Sequence, residues 1–479
     1  MQFPTLEFAV FFTLCLTLTW ALRSQRVLQK LVLLAASYYF YARIDLRFVT
    51  ILAVSSVLNY VVGEGIARGR GPGARRAWLV IGVIVNLAML AAFKYYAFFQ
   101  DSLGDFLAYV GLPLRLPVLE ILLPVGISFY TFQALSYIID LYRGGRDRAQ
   151  SWLDFLLYMA FFPKLLAGPI CRARELLPQI AAPAPRSVPE VSRAATLILS
   201  GLFKKAVLAT LIDTHLVAAA FDAPENYGAG ALWMAMLGYS MQIYWDFSGY
   251  TDLALGLGLL LGFRLPQNFE HPYTATDISD FWRRWHITFS SWLRDYLFFP
   301  LATRWSAALR ARMSLRRAAL WGAQLAVLVT FVLCGLWHGA GWTFVLWGAY
   351  HGVLLFIHHG LRDGLRMRWN GGWLGRAGTF LLVSLGWVLF NSPDLASAMT
   401  YLKGMFAFGH AGNGFELLIL LLIVVGVAMH IWGPRLRSLY VELSERMPWG
   451  VRPVVWFATG MVILAVKPSG IAPYIYFGF

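Results

Sequence analysis

Apolar runs separated by short basic loops constrain this chain more than any other feature. A helix crossing the hydrocarbon core of a bilayer needs about 20 apolar residues, and there each backbone amide and carbonyl must be satisfied within protein. Phe8–Leu22, Trp78–Phe99, Ala194–Leu216, Leu232–Leu261, Leu320–Trp337, Trp342–Ile357, Thr379–Phe390, Leu417–Ile431 and Val454–Val466 read as such runs. Only 14% of residues are charged, against about 25% in soluble domains. The expected fold is an all-α polytopic membrane protein with about eleven spans by the 20-residue rule, residues 1–479 forming a single membrane domain. Phe8–Leu22 lacks a basic stretch before it and a small-residue cleavage site after it, so it reads as the first span rather than a signal peptide.

A net charge of +15 raises nucleic acid as a partner, but its distribution argues against that. The basic residues cluster in loops, at Arg23/Arg26/Lys30, Arg68/Arg70/Arg75/Arg76, Arg143/Arg146/Arg148, Arg304–Arg317, Arg362/Arg366/Arg368/Arg376 and Arg435/Arg437/Arg446/Arg452. Such loops stay in the cytoplasm and meet anionic lipid headgroups. Alternation from them places both termini outside. Membrane lipids, not nucleic acid, are the expected partners.

Several stretches interrupt the pattern. Leu31–Tyr41 and Phe48–Val62 flank a tight turn, and Leu103–Val118 reads as a mixed outer segment carrying Pro113 and Pro117. Leu119–Leu141 is broken by Pro124 and Gly126, while Phe155–Pro163 and Leu165–Pro169 are too short to cross and read as re-entrant. Such backbone is tolerated only where neighbours or a cavity satisfy it. Pro178–Pro189 is a loop or hinge by composition. Lys204 and Lys205 lie in mid-run, and Asp246, Tyr250 and Asp252 form a polar patch in another. Carboxylates in such a run must pair. Arg172, Arg283, Arg284 and Arg294 are the candidate partners. Lys204, Lys205, Arg283 and Arg284 read either as phosphate ligands or as snorkelling cations.

The centre of the chain is Asp280–Pro300 together with Leu333–Trp342. On one continuous helical wheel Phe281, Trp285, Phe289, Trp292, Tyr296 and Phe299 form an aromatic stripe opposite Arg283, Arg284, Ser290, Ser291 and Arg294. That pattern suits a helix lying in the interface. His286 sits beyond the stripe's edge. His338 follows an apolar run and stands in a glycine-rich break with Gly335, Gly339 and Gly341. An ionisable residue so placed is a functional candidate by default. Cys334 reads as a buried filler. His351, His358 and His359 read as interface or polar-cavity residues rather than metal ligands, since no third ligand of known geometry accompanies them.

LPVGISFYTFQALSYIIDLYRG (Leu123–Gly144), FFPKLLAGPICR (Phe161–Arg172), QIYWDFSGYTDLALGLGLLLGFRLPQNFEHPY (Gln242–Tyr273), DFWRRWHITFSSWLRDYLFFPL and GLWHGAGWTFVLWGAYHG together resemble the membrane-bound O-acyltransferases. The resemblance is densest over Leu123–Gly352. It points to the branch of the alginate O-acetylation membrane subunit and the D-alanyl transfer protein of teichoic acids. It implies a ring of tilted helices, with re-entrant and interfacial helices, around a central tunnel. It also implies acetyl-CoA as the cytoplasmic donor with no permanently bound cofactor, the bacterial inner membrane as location, and a polysaccharide acceptor served through a periplasmic or secreted SGNH-type acyltransferase. His338 maps onto the family's first histidine and His286 onto its second. Acyl transfer from a thioester to a hydroxyl needs a base near neutrality, which imidazole supplies. Arg283, Arg284, Trp285, Asp246, Tyr250 and Trp337 are the expected substrate-binding residues.

The tail AVKPSGIAPYIYFGF resembles an aromatic C-terminal motif of acyl-export members, by which Tyr476 would carry the acyl group. The bare residues read equally as an interfacial aromatic anchor. Other readings within the family are a carrier-protein donor, as in D-alanylation, and peptidoglycan as acceptor. A transporter without acyl chemistry is the competing class. It is disfavoured because the chain shows no internal repeat of the kind transporters carry.

Overall fold

Helix starts follow local side-chain chemistry. Thr5, Asp45, Ser151, Asp277 and Asp394 each sit in extended backbone and accept a hydrogen bond from an amide two or three residues on, satisfying a donor that a first turn leaves free. The structure is a computed structural model. It describes the chain except residues 1–2, 4, 113–121, 146–147, 150, 183–187, 189, 366–370, 408–416, 469, 471–473 and 476–479. Among the described residues, the regular elements are helices.

Two compact units divide the chain, one of Met1–Leu197 with Leu253–Pro266, the other of Ile198–Asp252 with Gln267–Phe479. The first begins with α1 (Leu6–Ala21), α2 (Arg26–Ala42) and α3 (Leu46–Arg68). Next comes α4, which runs unbroken from Pro72 to Tyr109. The expected mixed segment at Leu103–Val118 is, up to Tyr109, the end of α4, carried on through a π turn at Ala91–Tyr95. The Pro124/Gly126 interruption becomes the turn that opens α5 (Ile127–Tyr142). Gly126 has φ +82°, and a Cβ there would stand 2.6 Å from the Leu165 carbonyl oxygen. α6 (Trp152–Ala160) and the turn Phe162–Leu165 are short, and apart from Trp152 their residues are buried within the unit. Pro178 lies inside α7 (Ala173–Ala181), so the expected loop does not begin there; residues 183–187 and 189 of that stretch lie outside the described residues.

α8 (Val191–Asp222) and α9 (Ala229–Leu260) follow. The aromatic stripe expected to form one interfacial helix is instead broken into α10 (Ile278–Arg284), α11 (Ile287–Leu293), a π turn at Arg294–Phe298 and α12 (Phe299–Leu309). Beyond it lie α13 (Leu315–His338), α14 (Trp342–His359), α15 (Gly372–Asn391), α16 (Leu395–Gly404), α17 (Leu417–Arg446) and α18 (Val451–Val466).

Seven described helices are long and apolar enough to cross a membrane, and α1 and α18 are shorter apolar helices. Leu14, Val57, Leu421 and Phe457 are among many large apolar side chains left exposed, more than a water-facing surface tolerates. The chain is a polytopic membrane protein.

α13 and α14 cross at glycines. A Cβ on Gly335 would lie 2.1 Å from the Phe344 carbonyl oxygen, and one on Gly348 2.2 Å from that of Phe331. Small residues let the backbones approach, and this crossing holds the end of α13, with His338, against α14. Gly335→Val or Gly348→Val should therefore cost about 1–3 kcal/mol by overpacking. The readout is the unfolding midpoint of detergent-purified protein; an unchanged midpoint in both variants would contradict so close a crossing.

Candidate active site

His286 occupies the break between α10 and α11. Its φ of +42° is left-handed, a region where histidine is enriched among non-glycine residues. Neighbouring backbone holds it there. The Glu270 amide donates to the Arg284 carbonyl at 3.0 Å and the Ile287 amide to the Asn268 carbonyl at 2.9 Å. The Thr288 hydroxyl donates to Asn268 Oδ1 at 2.6 Å. The segment around Asn268 thus stops the aromatic stripe from continuing as one helix and turns the imidazole into the protein.

His338 ends α13, where Gly339 turns extended. Both histidines are buried, and both touch the same pair of rings. Phe289 and Trp337 stack at 4.1 Å between centroids. His286 lies 4.9 Å from Phe289 and 6.2 Å from Trp337. His338 lies 4.8 Å from Trp337 and 5.6 Å from Phe289. Trp347 and Phe390 close the other side of His338 at 5.0 and 5.2 Å. The expected pair and Trp337 thus meet at one buried aromatic stack. Two imidazoles in such a setting can pass or hold protons for a reaction shielded from water.

The other expected residues fall into separate places. Trp285 is buried and packed against Phe269, Phe281 and Trp387. Arg283 is exposed and pairs with Asp280 at 3.3 Å, as Arg284 does at 3.0 Å. Burial acts against the Asp280 carboxylate, but donors from Arg284, the Thr276 amide and Arg283 hold its pKa below the ordinary value. The partners of the buried carboxylates are lysines of α8 and an arginine of α17, not the arginines expected from sequence. Lys205 pairs with Asp246. Asp252 Oδ2 receives Lys204 at 2.8 Å, Arg437 at 3.0 Å and the Ser200 hydroxyl at 3.1 Å. Lys204 and Lys205 are buried, so neither snorkels. Tyr250 meets the ring of Tyr474 edge-on at 4.9 Å. Tyr476 lies outside the described residues.

The sequence reading gave Trp347, Phe390 and Asn268 no role, and left His351 as an interface or cavity polar. His351 is completely buried, 5.0 Å from Trp347 and 5.1 Å from Trp282. Among the described residues neither of its ring nitrogens has a hydrogen-bond partner. The only signal pointing to it was its place on the helix that follows His338.

Residues 146–380 match the family model of the membrane-bound O-acyltransferases. The chain is 40% identical over 387 residues to a probable alginate O-acetylase of Pseudomonas aeruginosa, covering 80% of this chain and 70% of that one. It is 35% identical to a peptidoglycan O-acetyltransferase of Helicobacter pylori, covering 78% and 73%. It is 31% identical to a teichoic acid D-alanyltransferase of Bacillus subtilis over 49% and 58%. The matched span contains both histidines, the Phe289–Trp337 stack and the α13–α14 crossing. The chain is an O-acyltransferase and belongs to the membrane-bound O-acyltransferase family.

Proposed function

We propose that this chain takes an acetyl group from acetyl-CoA at the cytoplasmic side of the inner membrane and exports it for O-acetylation of an extracytoplasmic polysaccharide of the alginate type. A secreted SGNH-type acyltransferase completes the transfer, and both termini lie outside. The observation that carries the reading is the placement of His286 and His338 on the two rings of one buried aromatic stack. Identity to the probable alginate O-acetylase over most of both chains supports acetyl as the group and a polysaccharide as its destination.

In this reading His338 takes the proton of the accepting hydroxyl. The oxygen attacks the thioester carbonyl, the carbon–sulfur bond breaks, and the departing thiolate takes up the proton that His338 received. His338 stands at the carbonyl end of α13, where a helix favours a developing positive charge. His286 stands at the amide end of α11. A ring that stays neutral there serves as donor to the carbonyl oxygen as it becomes an oxyanion.

The test is purified protein incubated with acetyl-labelled CoA, in wild type and His338→Gln. Thioester cleavage in wild type that is lost in the variant supports the reading. Cleavage of carrier-bound D-alanine but not acetyl-CoA would transfer it to the D-alanyl branch. Cleavage of neither would remove the proposal.

A further inference from the structure

Glu7 at the start of α1 meets Arg43 just past the end of α2, and Gln29 near the start of α2 donates to the Thr19 carbonyl near the end of α1 at 2.9 Å. The two helices therefore run antiparallel, tied at both ends. Between the ties they leave a groove of about 730 Å³, within the roughly 300–1,000 Å³ of ligand pockets. Leu6, Val10, Leu14 and Leu18 form one lip. They stand four residues apart on α1, so they share a face, and all four are exposed. On α2 the groove is lined by Ala35 and Ala36, whose methyl groups leave open the space that larger side chains would fill.

Apolar side chains on a membrane helix meet lipid anywhere, but this groove ends on a charged pair. Arg43 reaches Glu7 Oε1 through Nε and Nη2, both at 2.9 Å, and both side chains stay about half exposed. Among the described residues, Glu7 Oε2 and the other guanidinium donors of Arg43 have no hydrogen-bond partner. Tyr39 lines the groove near the same end, as aromatic residues do at the membrane–water interface. From Leu6 to Leu18 the groove extends about 18 Å at 1.5 Å per residue, close to half of a hydrocarbon core roughly 30 Å thick. Its apolar length thus matches one leaflet, and its polar end offers an anion and a cation side by side.

We propose that this groove is a binding site for one phosphatidylethanolamine molecule, an acyl chain lying along the Leu6–Leu18 stripe and the zwitterionic headgroup held at the Glu7–Arg43 pair. The primary ammonium donates to Glu7 Oε2 and the phosphate accepts from Arg43, each a charge-assisted hydrogen bond. Phosphatidylcholine cannot donate to Glu7, because its nitrogen carries no hydrogen. Phosphatidylglycerol brings an anion with no cation to offset Glu7. The site is independent of the acetyl-transfer reading.

The test is native mass spectrometry of the full chain, stripped of lipid in detergent and titrated with each of the three lipids. Wild type should hold one phosphatidylethanolamine at least about tenfold more tightly than either of the others, the effect of a hydrogen bond to a charged group. Ala35→Phe fills the groove from an exposed position and should abolish that binding. Glu7→Gln should lose the preference among headgroups. Both positions are exposed, so unfolding midpoints should stay near wild type; where Ala35→Phe falls, Glu7→Gln decides alone. Equal binding of the three lipids by wild type overturns the proposal, as does a preference that persists in Glu7→Gln. Undiminished binding by a folded Ala35→Phe puts the lipid elsewhere and overturns it too. A lipid-free dimer that separates in Ala35→Phe would give the groove to a second copy of the chain instead.

Discussion

His338→Gln is expected to lower acetyl transfer by on the order of 10²–10⁴-fold, the usual contribution of a positioned general base, while the protein still folds. Glutamine is the informative replacement because His338 is enclosed by Trp337, Trp347, Phe390 and Phe289. Truncation to alanine would open a cavity among those rings, and such cavities cost several kcal/mol, confusing lost chemistry with lost packing. His286→Asn is the matching variant at the other ring, because asparagine tolerates the left-handed backbone that His286 adopts at φ +42°. Loss of an oxyanion donor should lower kcat by about 10²–10³-fold and leave KM nearly unchanged, since that contact strengthens only in the transition state. The measurements are kcat and KM for thioester cleavage beside the unfolding midpoint. A wild-type rate in His338→Gln would dismiss it as the base.

What could be read from the residues follows from how directly each force is written in sequence. Burial in lipid requires length and apolarity, so α13, α14 and α17 were evident from their runs. The end of α13 at His338 was also evident, since Gly339 and Gly341 follow it. The break at His286 was not. No glycine or proline marks it, and the stripe from Phe281 to Phe299 satisfies a helical period across it. The break comes from contacts with Asn268 and Glu270, which lie well before it in the chain. Periodicity describes what a segment does alone, and here a distant segment decides.

The same limit explains the carboxylates. That Asp246 and Asp252 must pair was clear from their apolar surroundings, but the choice among cations was not. Lys204 and Lys205 were in plain view in α8, yet adjacent lysines facing two carboxylates six residues apart on α9 form no recognisable spacing. The histidines stand out in the sequence because chemistry and resemblance both name them. Trp347 and Phe390, which wall His338, carry no such mark, since an apolar ring in a membrane helix looks alike whether it faces a site or a neighbour.

Asp252→Ala should destabilise the protein by about 3–5 kcal/mol, the penalty for breaking a buried ion pair from one side. Asp252 Oδ2 is shared by Lys204, Arg437 and Ser200, so its removal strands a buried ammonium ion in α8 and detaches α17 at Arg437. Replacing both members of the buried pair, in Asp252→Leu/Lys204→Met, should recover most of the loss, because apolar groups of similar size substitute well for a buried pair while a lone charge does not. Arg437 is partly exposed, with a side chain 37% accessible, and can turn toward water at little cost. The unfolding midpoint of the three proteins in detergent orders them as wild type, then double variant close behind, then Asp252→Ala well below. A KM for acetyl-CoA that stays level in the double variant assigns the network to holding α8, α9 and α17 together. If KM instead rises tenfold with the midpoint restored, Lys204 is a phosphate ligand and the structural assignment fails.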